Sequence, residues 1–322
     1  MERRIDSEQM ETILFDCIIE KAPCKLGNLN ELKDSRGQTL LHWVVRLGLK
    51  EETEYLLMVG GVDPNQKDDE GRTPLHYAVE YVDIAELLIR HGADPNARDK
   101  IGRTPLHYVK RPEVAELLIK AGADINARDR DGNTPLHTAG PDAIEILLKY
   151  GADPNIKNNR GLPPVYYQLQ RSCEAGVKLL YATSKDILGI KDENGNTLLH
   201  LAAVGCREAV ELLIKHIDIN SRNDDGNTPL HIACYEGSDT IIKLLVTNGA
   251  NVHIPNKYNI TPLQLILSRC RKDYPCAEIV ELILNLGIPV DVETIRHAFN
   301  AEQLKLLKLL YNRSLLSILS QI

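Results

Sequence analysis

The sequence predicts an all-α solenoid of short helix–turn–helix units joined by hairpin-like loops, right-handed and without an extended sheet. Three observations predict it. A nine-residue phrase recurs eight times at a spacing near 30 residues. A Leu-rich apolar stretch follows the well-kept copies about ten residues later. Large aromatics are scarce: Phe15, Phe299 and Trp43 are the only Phe and Trp residues in 322. The core must therefore come from Leu, Ile, Val and Ala. One such unit cannot bury its apolar side alone, but a stack of them can.

The phrase reads Asp34-Ser-Arg-Gly-Gln-Thr-Leu-Leu-His42, then Asp68-Asp-Glu-Gly-Arg-Thr-Pro-Leu-His76. It returns at Asp99 to His107, Asp129 to His137, Asp192 to His200, Asn223 to His231 and Asn256 to Gln264. A worn copy, Asn158-Asn-Arg-Gly-Leu-Pro-Pro-Val-Tyr166, lies between the fourth and sixth. Successive copies start 34, 31, 30, 29, 34, 31 and 33 residues apart.

Each residue type has a job. Thr73, Thr104, Thr134 and Thr228 are suited to cap a helix N-terminus, where backbone N–H groups lack partners. The Pro that follows fits the first helical position, which needs no N–H. Gly92, Gly122, Gly151 and Gly249 end the second helix, where a positive φ is wanted. Asp-x-x-Gly makes the tight turn, with Gly71, Gly102, Gly132 and Gly226 at its tip.

The copies are unequal. From the motif His to the first residue of the apolar triplet there are 11, 10 and 9 residues in copies two, three and four, and 13 in copy seven. The shortening falls between the two helices, where Pro112 and Pro141 can start the second helix early. In copy eight the same interval is 18, so Ser268 to Cys276 holds an insertion. The worn fifth copy predicts an irregular stretch near 158–190.

The spacing, the Thr-Pro-Leu-His core and the run Ala85-Glu-Leu-Leu-Ile-Arg-His-Gly-Ala-Asp-Pro-Asn96 resemble the ankyrin repeat, whose period is about 33 residues. The likeness covers about residues 34–290. It leaves 1–33 as an N-terminal helical cap, with Ser7 capping a helix to about Glu20, and 291–322 as a leucine-rich C-terminal cap. The resemblance implies that the recurrent His (His42, His76, His107, His137, His200, His231) bonds neighbouring loop backbone and binds no metal.

No Gly-x-x-x-x-Gly-Lys-Ser/Thr loop, Gly-x-Ser-x-Gly elbow or His-Glu-x-x-His pair occurs, so no catalytic constellation, metal site or cofactor is expected. A net charge of −7 argues against a partner bound through phosphate neutralisation. No segment approaches the length of a membrane span. The seven cysteines include no Cys-x-x-Cys pair and suggest a reducing cytoplasm, of its own cell or of a host.

The resemblance implies a non-catalytic monomer that binds a protein partner through a concave groove and the hairpin tips. Arg46, Leu47, Glu80, Tyr81, Tyr235 and Glu236 fall at the variable groove positions. Ile101 and Tyr258 are apolar at tips where polar residues are the rule, and Arg130 belongs to a cluster of tip cations interleaved with aspartates. The bulky residues after the motif His (Trp43, Tyr77, Tyr108) form a row that suits packing between repeats or, alternatively, aromatic anchors in the groove. A second reading makes the chain an adaptor or secreted effector that recruits host machinery through its terminal helices, as some bacterial and viral members of that family do.

Overall fold

The computed structural model describes residues 3–14, 29–59, 61–268 and 276–289. They belong to two compact units, Met1–Ala182 and Thr183–Ile322.

The first unit opens with a two-residue strand, β1 (Arg3–Arg4), paired in parallel with β2 (Leu32–Lys33). Helix α1 (Ser7–Leu14) follows β1. Asp6, not Ser7, caps it: the Asp6 carboxylate accepts from Gln9 N at 2.7 Å, and Gln9 Oε1 accepts from Asp6 N at 3.3 Å. Met10 is fully buried beneath it. The predicted continuation to Glu20 lies outside the described residues.

Five helical pairs follow. Copy one supplies α2 (Leu40–Arg46) and α3 (Lys50–Val59), and copy two α4 (Pro74–Tyr77) and α5 (Val82–Arg90). Copy three has only a 3-10 turn (Pro105–Tyr108) before α6 (Pro112–Lys120). Copy four has α7 (Pro135–Thr138) and α8 (Ile144–Lys149), with a 3-10 turn at Pro141–Ala143 between them. Copy five has α9 (Pro164–Arg171) and α10 (Cys173–Ala182). The shortened copies therefore lose residues from the end of the first helix as well as from the connection.

The motif Leu of each copy, Leu41, Leu75, Leu106 and Leu136, is at most 1% exposed. Burying one such side chain contributes about 1.5–3 kcal/mol. In α6 the buried seam runs through Val114, Ala115 and Leu118, whereas Leu117 is only half-buried. The triplet Leu117-Leu118-Ile119 thus faces the core through its middle residue, as the 3.6-residue period requires.

The worn fifth copy folds like its neighbours. Asn158 replaces the turn Asp, its Oδ1 accepting from Arg160 N and Leu162 N at 3.0 and 3.1 Å, and Tyr166 is buried where the His would stand. Within the stretch predicted to be irregular, 158–190, the turn at Asn158 is kept because Asn supplies the same acceptor, whereas a 3-10 turn at Lys185–Ile187 stands where other copies have Gly-Ala-Asp. Gln168 of the fifth copy also repairs the shortened fourth copy. A first helix cut to one turn leaves its last carbonyls without helical partners. The buried Gln168 Nε2 donates to Leu136 O and Ala139 O at 3.0 and 3.1 Å, and Arg171 donates to Thr138 O.

The second unit begins with a 3-10 turn (Lys185–Ile187) and continues with α11 (Leu198–Ala202), α12 (Arg207–Leu213), α13 (Pro229–Glu236), α14 (Asp239–Thr247), α15 (Pro262–Ser268) and α16 (Cys276–Asn285). Leu199, Leu230, Leu245, Leu263 and Ile283 form its core. The interior of the insertion after Ser268 and the C-terminal cap over 291–322 lie outside the described residues. No helix among the described residues is long and apolar enough to cross a membrane.

Candidate functional site

The hairpin tips are built first by local chemistry. Asp68 Oδ1 accepts from Glu70 N and Arg72 N at 2.9 and 2.8 Å, closing the turn, and Gly71 takes φ 76° at its apex. A side chain there would collide with the next tip, since an added Cβ would sit 2.9 Å from Lys100 N. That close approach allows one backbone bond per step. In the first unit Asp69 N donates to Arg36 O, Lys100 N to Glu70 O, Arg130 N to Ile101 O and Asn159 N to Asp131 O, all at 2.8–2.9 Å. In the second unit Asp224 N donates to Asn194 O and Lys257 N to Asp225 O, both at 2.9 Å. Tip side chains of successive repeats therefore stand side by side.

Beneath the tips runs the histidine ladder. His76 Nδ1 accepts from Thr73 N at 3.1 Å and lies 2.9 Å from Thr73 Oγ1, while Nε2 lies 3.1 Å from Arg103 O. A carbonyl can only accept, so Nε2 carries the proton and the ring is neutral. His42, His107 and His137 repeat this arrangement in the first unit, and His200 and His231 in the second. Burial pushes the His42 and His137 imidazoles down to about 4 against the opposing pull of the carbonyl bond. Each ring thus caps its own helix and ties it to the next repeat, and no group of His, Cys, Asp or Glu suited to a metal occurs among the described residues.

The aromatic row is also structural. Trp43 Nε1 donates to Asp34 Oδ2 at 3.0 Å, and the Tyr77 and Tyr108 hydroxyls donate to Asp68 and Asp99 at 2.6 and 2.5 Å. Burial, reinforced by those carboxylates, pushes both hydroxyls up to about 12. These bonds tie each ring to the turn of its own repeat, while packing between repeats is supported by the edge-on contacts of Tyr77 with His42 and of Tyr108 with His76, both with ring centroids 6.0 Å apart.

The predicted partner-binding residues divide by environment. In the first unit Ile101 is 46% exposed at its tip, and Arg130 is exposed on the next. Leu47 is exposed at the end of α2. Arg46 is less open than predicted: it bonds Gln38 Oε1 at 3.1 Å and lies over the Trp43 ring at 4.8 Å. Glu80 pairs with Lys110 of the following repeat. Tyr81 is 36% exposed because one edge of its ring covers Gly48, where an added Cβ would lie 2.8 Å from Tyr81 Cε1. In the second unit Tyr235 and Tyr258 are 49% and 70% exposed, and Glu236 is exposed beside Tyr235. Asn256 links the two tyrosines, donating to Tyr235 Oη at 3.2 Å and accepting from Tyr258 N at 2.9 Å.

Sequence reasoning missed three features. An open depression of about 400 Å³ lies among Gly48, Lys50, Glu80, Tyr81, Asp83 and Arg111, where the connections of copies two and three are short. Val204 is exposed at the same distance after its motif His as Tyr235. Arg4 grips Asp69 at the tip row with two bonds of 2.9 Å and holds that carboxyl below its usual value. The short connections were the only signal in the sequence, and they pointed to the depression alone.

The chain's similarities agree with this geometry. A family model described as ankyrin repeats (3 copies) matches residues 10–99, 83–158, 140–223, 165–256 and 204–296. Among curated proteins the chain is similar to the nuclear factor NF-kappa-B p105 subunit of Gallus gallus, 33% identical over 42% of this chain and 15% of that protein. It is similar to human Rabankyrin-5, 26% identical over 70% of this chain and 15% of that protein. It is also similar to human protein phosphatase 1 regulatory subunit 27, 38% identical over 31% of this chain and 62% of that protein. The chain thus spans less than two thirds of each relative. With family-model matches that together cover 10–296 and eight tips and six histidine caps built alike, the chain belongs to the ankyrin-repeat family.

Proposed function

We propose that this chain is a non-catalytic scaffold that binds a protein partner through its hairpin tips and the exposed ends of its first helices. One observation carries the reading. The repeat uses Trp43, Tyr77 and Tyr108 for its own turns, yet Ile101, Tyr235 and Tyr258 stay exposed at positions where the fold needs no apolar side chain. Exposed aromatic and aliphatic residues on a rigid frame suit the anchors that dominate interface energetics. Relatives that include a phosphatase regulatory subunit support a role in binding.

The test begins with capture of partners on the purified chain, followed by Ile101→Asp and Tyr258→Ala. Both should lower affinity for a captured partner by about 2 kcal/mol if they are anchors. Full affinity in both variants at wild-type stability would remove the tips from the site. Tyr81→Ala is a poorer probe, because that ring also shields Gly48.

A further inference from the structure

The Arg4–Asp69 grip has a repeat-equivalent place in the second unit. Asp69 stands two residues before the tip glycine Gly71, and Asp224 stands two before Gly226. Both carboxylates lie across the preceding tip in the same way: an added Cβ on Gly37 would be 2.5 Å from Asp69 Oδ1, and one on Gly195 would be 2.5 Å from Asp224 Oδ1. Both residues donate their backbone N–H to the preceding tip at 2.9 Å. In the first unit this platform holds an arginine from an extended segment, β1. Arg4 places Nη1 and Nη2 each 2.9 Å from the two Asp69 oxygens, and Nη1 also donates to Ser35 O at 3.3 Å. The counterpart of Ser35 is Glu193.

Among the described residues no cation pairs with Asp224, which is exposed. The near arginine, Arg222, is committed to backbone, donating to Gly226 O and Pro255 O. Asp225 on the same tip and Glu236 are exposed carboxylates as well, and the exposed Tyr235 and Tyr258 adjoin them through Asn256 and the bond from Lys257 N to Asp225 O.

We propose that Asp224 anchors an arginine from an extended, cationic segment of a protein partner, gripped as Arg4 grips Asp69, with Tyr235 and Tyr258 covering the apolar part of that segment. This deepens the scaffold reading above and rests on it. A paired carboxylate with a carbonyl beside it suits the planar fork of a guanidinium and not the point charge of an ammonium. Asp225 and Glu236 add negative charge beside it while Arg222 and Lys257 bring cations, so the choice of an arginine rests on the forked geometry of the carboxylate more than on net charge.

The experiment titrates the full chain with the blocked peptide Ala-Arg-Arg-Ile-Ala and its lysine counterpart, followed by backbone amide shifts. The arginine peptide should shift the amides of 193–195 and 224–226 saturably and bind about fivefold or more tighter than the lysine peptide, as bidentate recognition demands. Asp224→Asn should abolish that preference while leaving the melting temperature unchanged. Equal binding of both peptides, or wild-type preference in Asp224→Asn, overturns the proposal. So does a concentration-dependent dimer that Asp224→Asn abolishes, which would assign the platform to a second copy of the chain. A captured partner that is lost by Tyr258→Ala but kept by Asp224→Asn would sink the arginine site while leaving the scaffold reading intact.

Discussion

Replacing His137 by Gln should make the chain resist acid better than the wild type. In the folded state burial holds the His137 imidazole at about 4, against an ordinary value of 6.5. The sign follows from that depression. The stability contributed by neutral His137 is fully present above pH 6.5 and is lost as pH falls toward 4, because the unfolded chain takes up the proton first. With those two values, lowering the pH from 7 to 5 costs about 2 kcal/mol at this one residue. Gln is the right replacement because the chain already uses it: in copy eight Gln264 Oε1 accepts from Thr261 N at 2.9 Å, the bond that His137 Nδ1 makes with Thr134 N at 3.0 Å. The cap survives, the titration goes, and the bond to Leu162 O is weakened or lost. That loss should cost about 0.5–1.5 kcal/mol at pH 7. Urea unfolding of both proteins at pH 7 and pH 5 measures the difference. A wild type that loses no more stability on acidification than His137→Gln would refute the neutral, buried ring.

The core and the repaired fourth copy give further tests. Leu118→Asp should cost several kcal/mol by burying an unpaired carboxylate, whereas Leu117→Asp should cost much less, and a thermal melt of each decides. Gln168→Ala should destabilise by about 1–3 kcal/mol, since two buried carbonyls lose their donor; an unchanged unfolding midpoint would show that they find another. Gly176→Ala should destabilise by about 1–3 kcal/mol, because the added Cβ would lie 2.7 Å from Leu169 Cα. Ile101→Asp should leave stability within about 0.5 kcal/mol of wild type, as an exposed tip residue would.

What the sequence disclosed was what recurs or acts within a few residues. Thr134, Pro135, Gly132 and the Asp129 turn follow from local backbone needs, and the period of the apolar residues reveals the stack. Which residue of a triplet faces the core was less legible, because Leu117 and Leu118 are one helical step apart and only the packing angle chooses. Gln168 reads as an ordinary polar residue, yet it is buried because the helix 30 residues earlier is short. Arg4 and Asp69 are 65 residues apart, and no local pattern joins them. Of the candidate site, the exposure of Ile101, Tyr235 and Tyr258 was readable from their departure from the repeat. The reduced openness of Arg46 and Tyr81 depended on Trp43 and Gly48, whose neighbours only the fold specifies.

The donation from Gln168 to Leu136 and Ala139 makes the fourth copy depend on a side chain of the fifth. Repeat arrays change length by gaining or losing whole units, and most neighbours here are joined by bonds that recur from step to step, such as the tip backbone bond and the histidine bond, which another standard repeat could supply. A cut between copies four and five would instead strand carbonyls that no standard repeat is equipped to meet. Duplication or deletion in this lineage should therefore carry the two together, and the wear in copy five is compatible with a copy kept for the neighbour it completes.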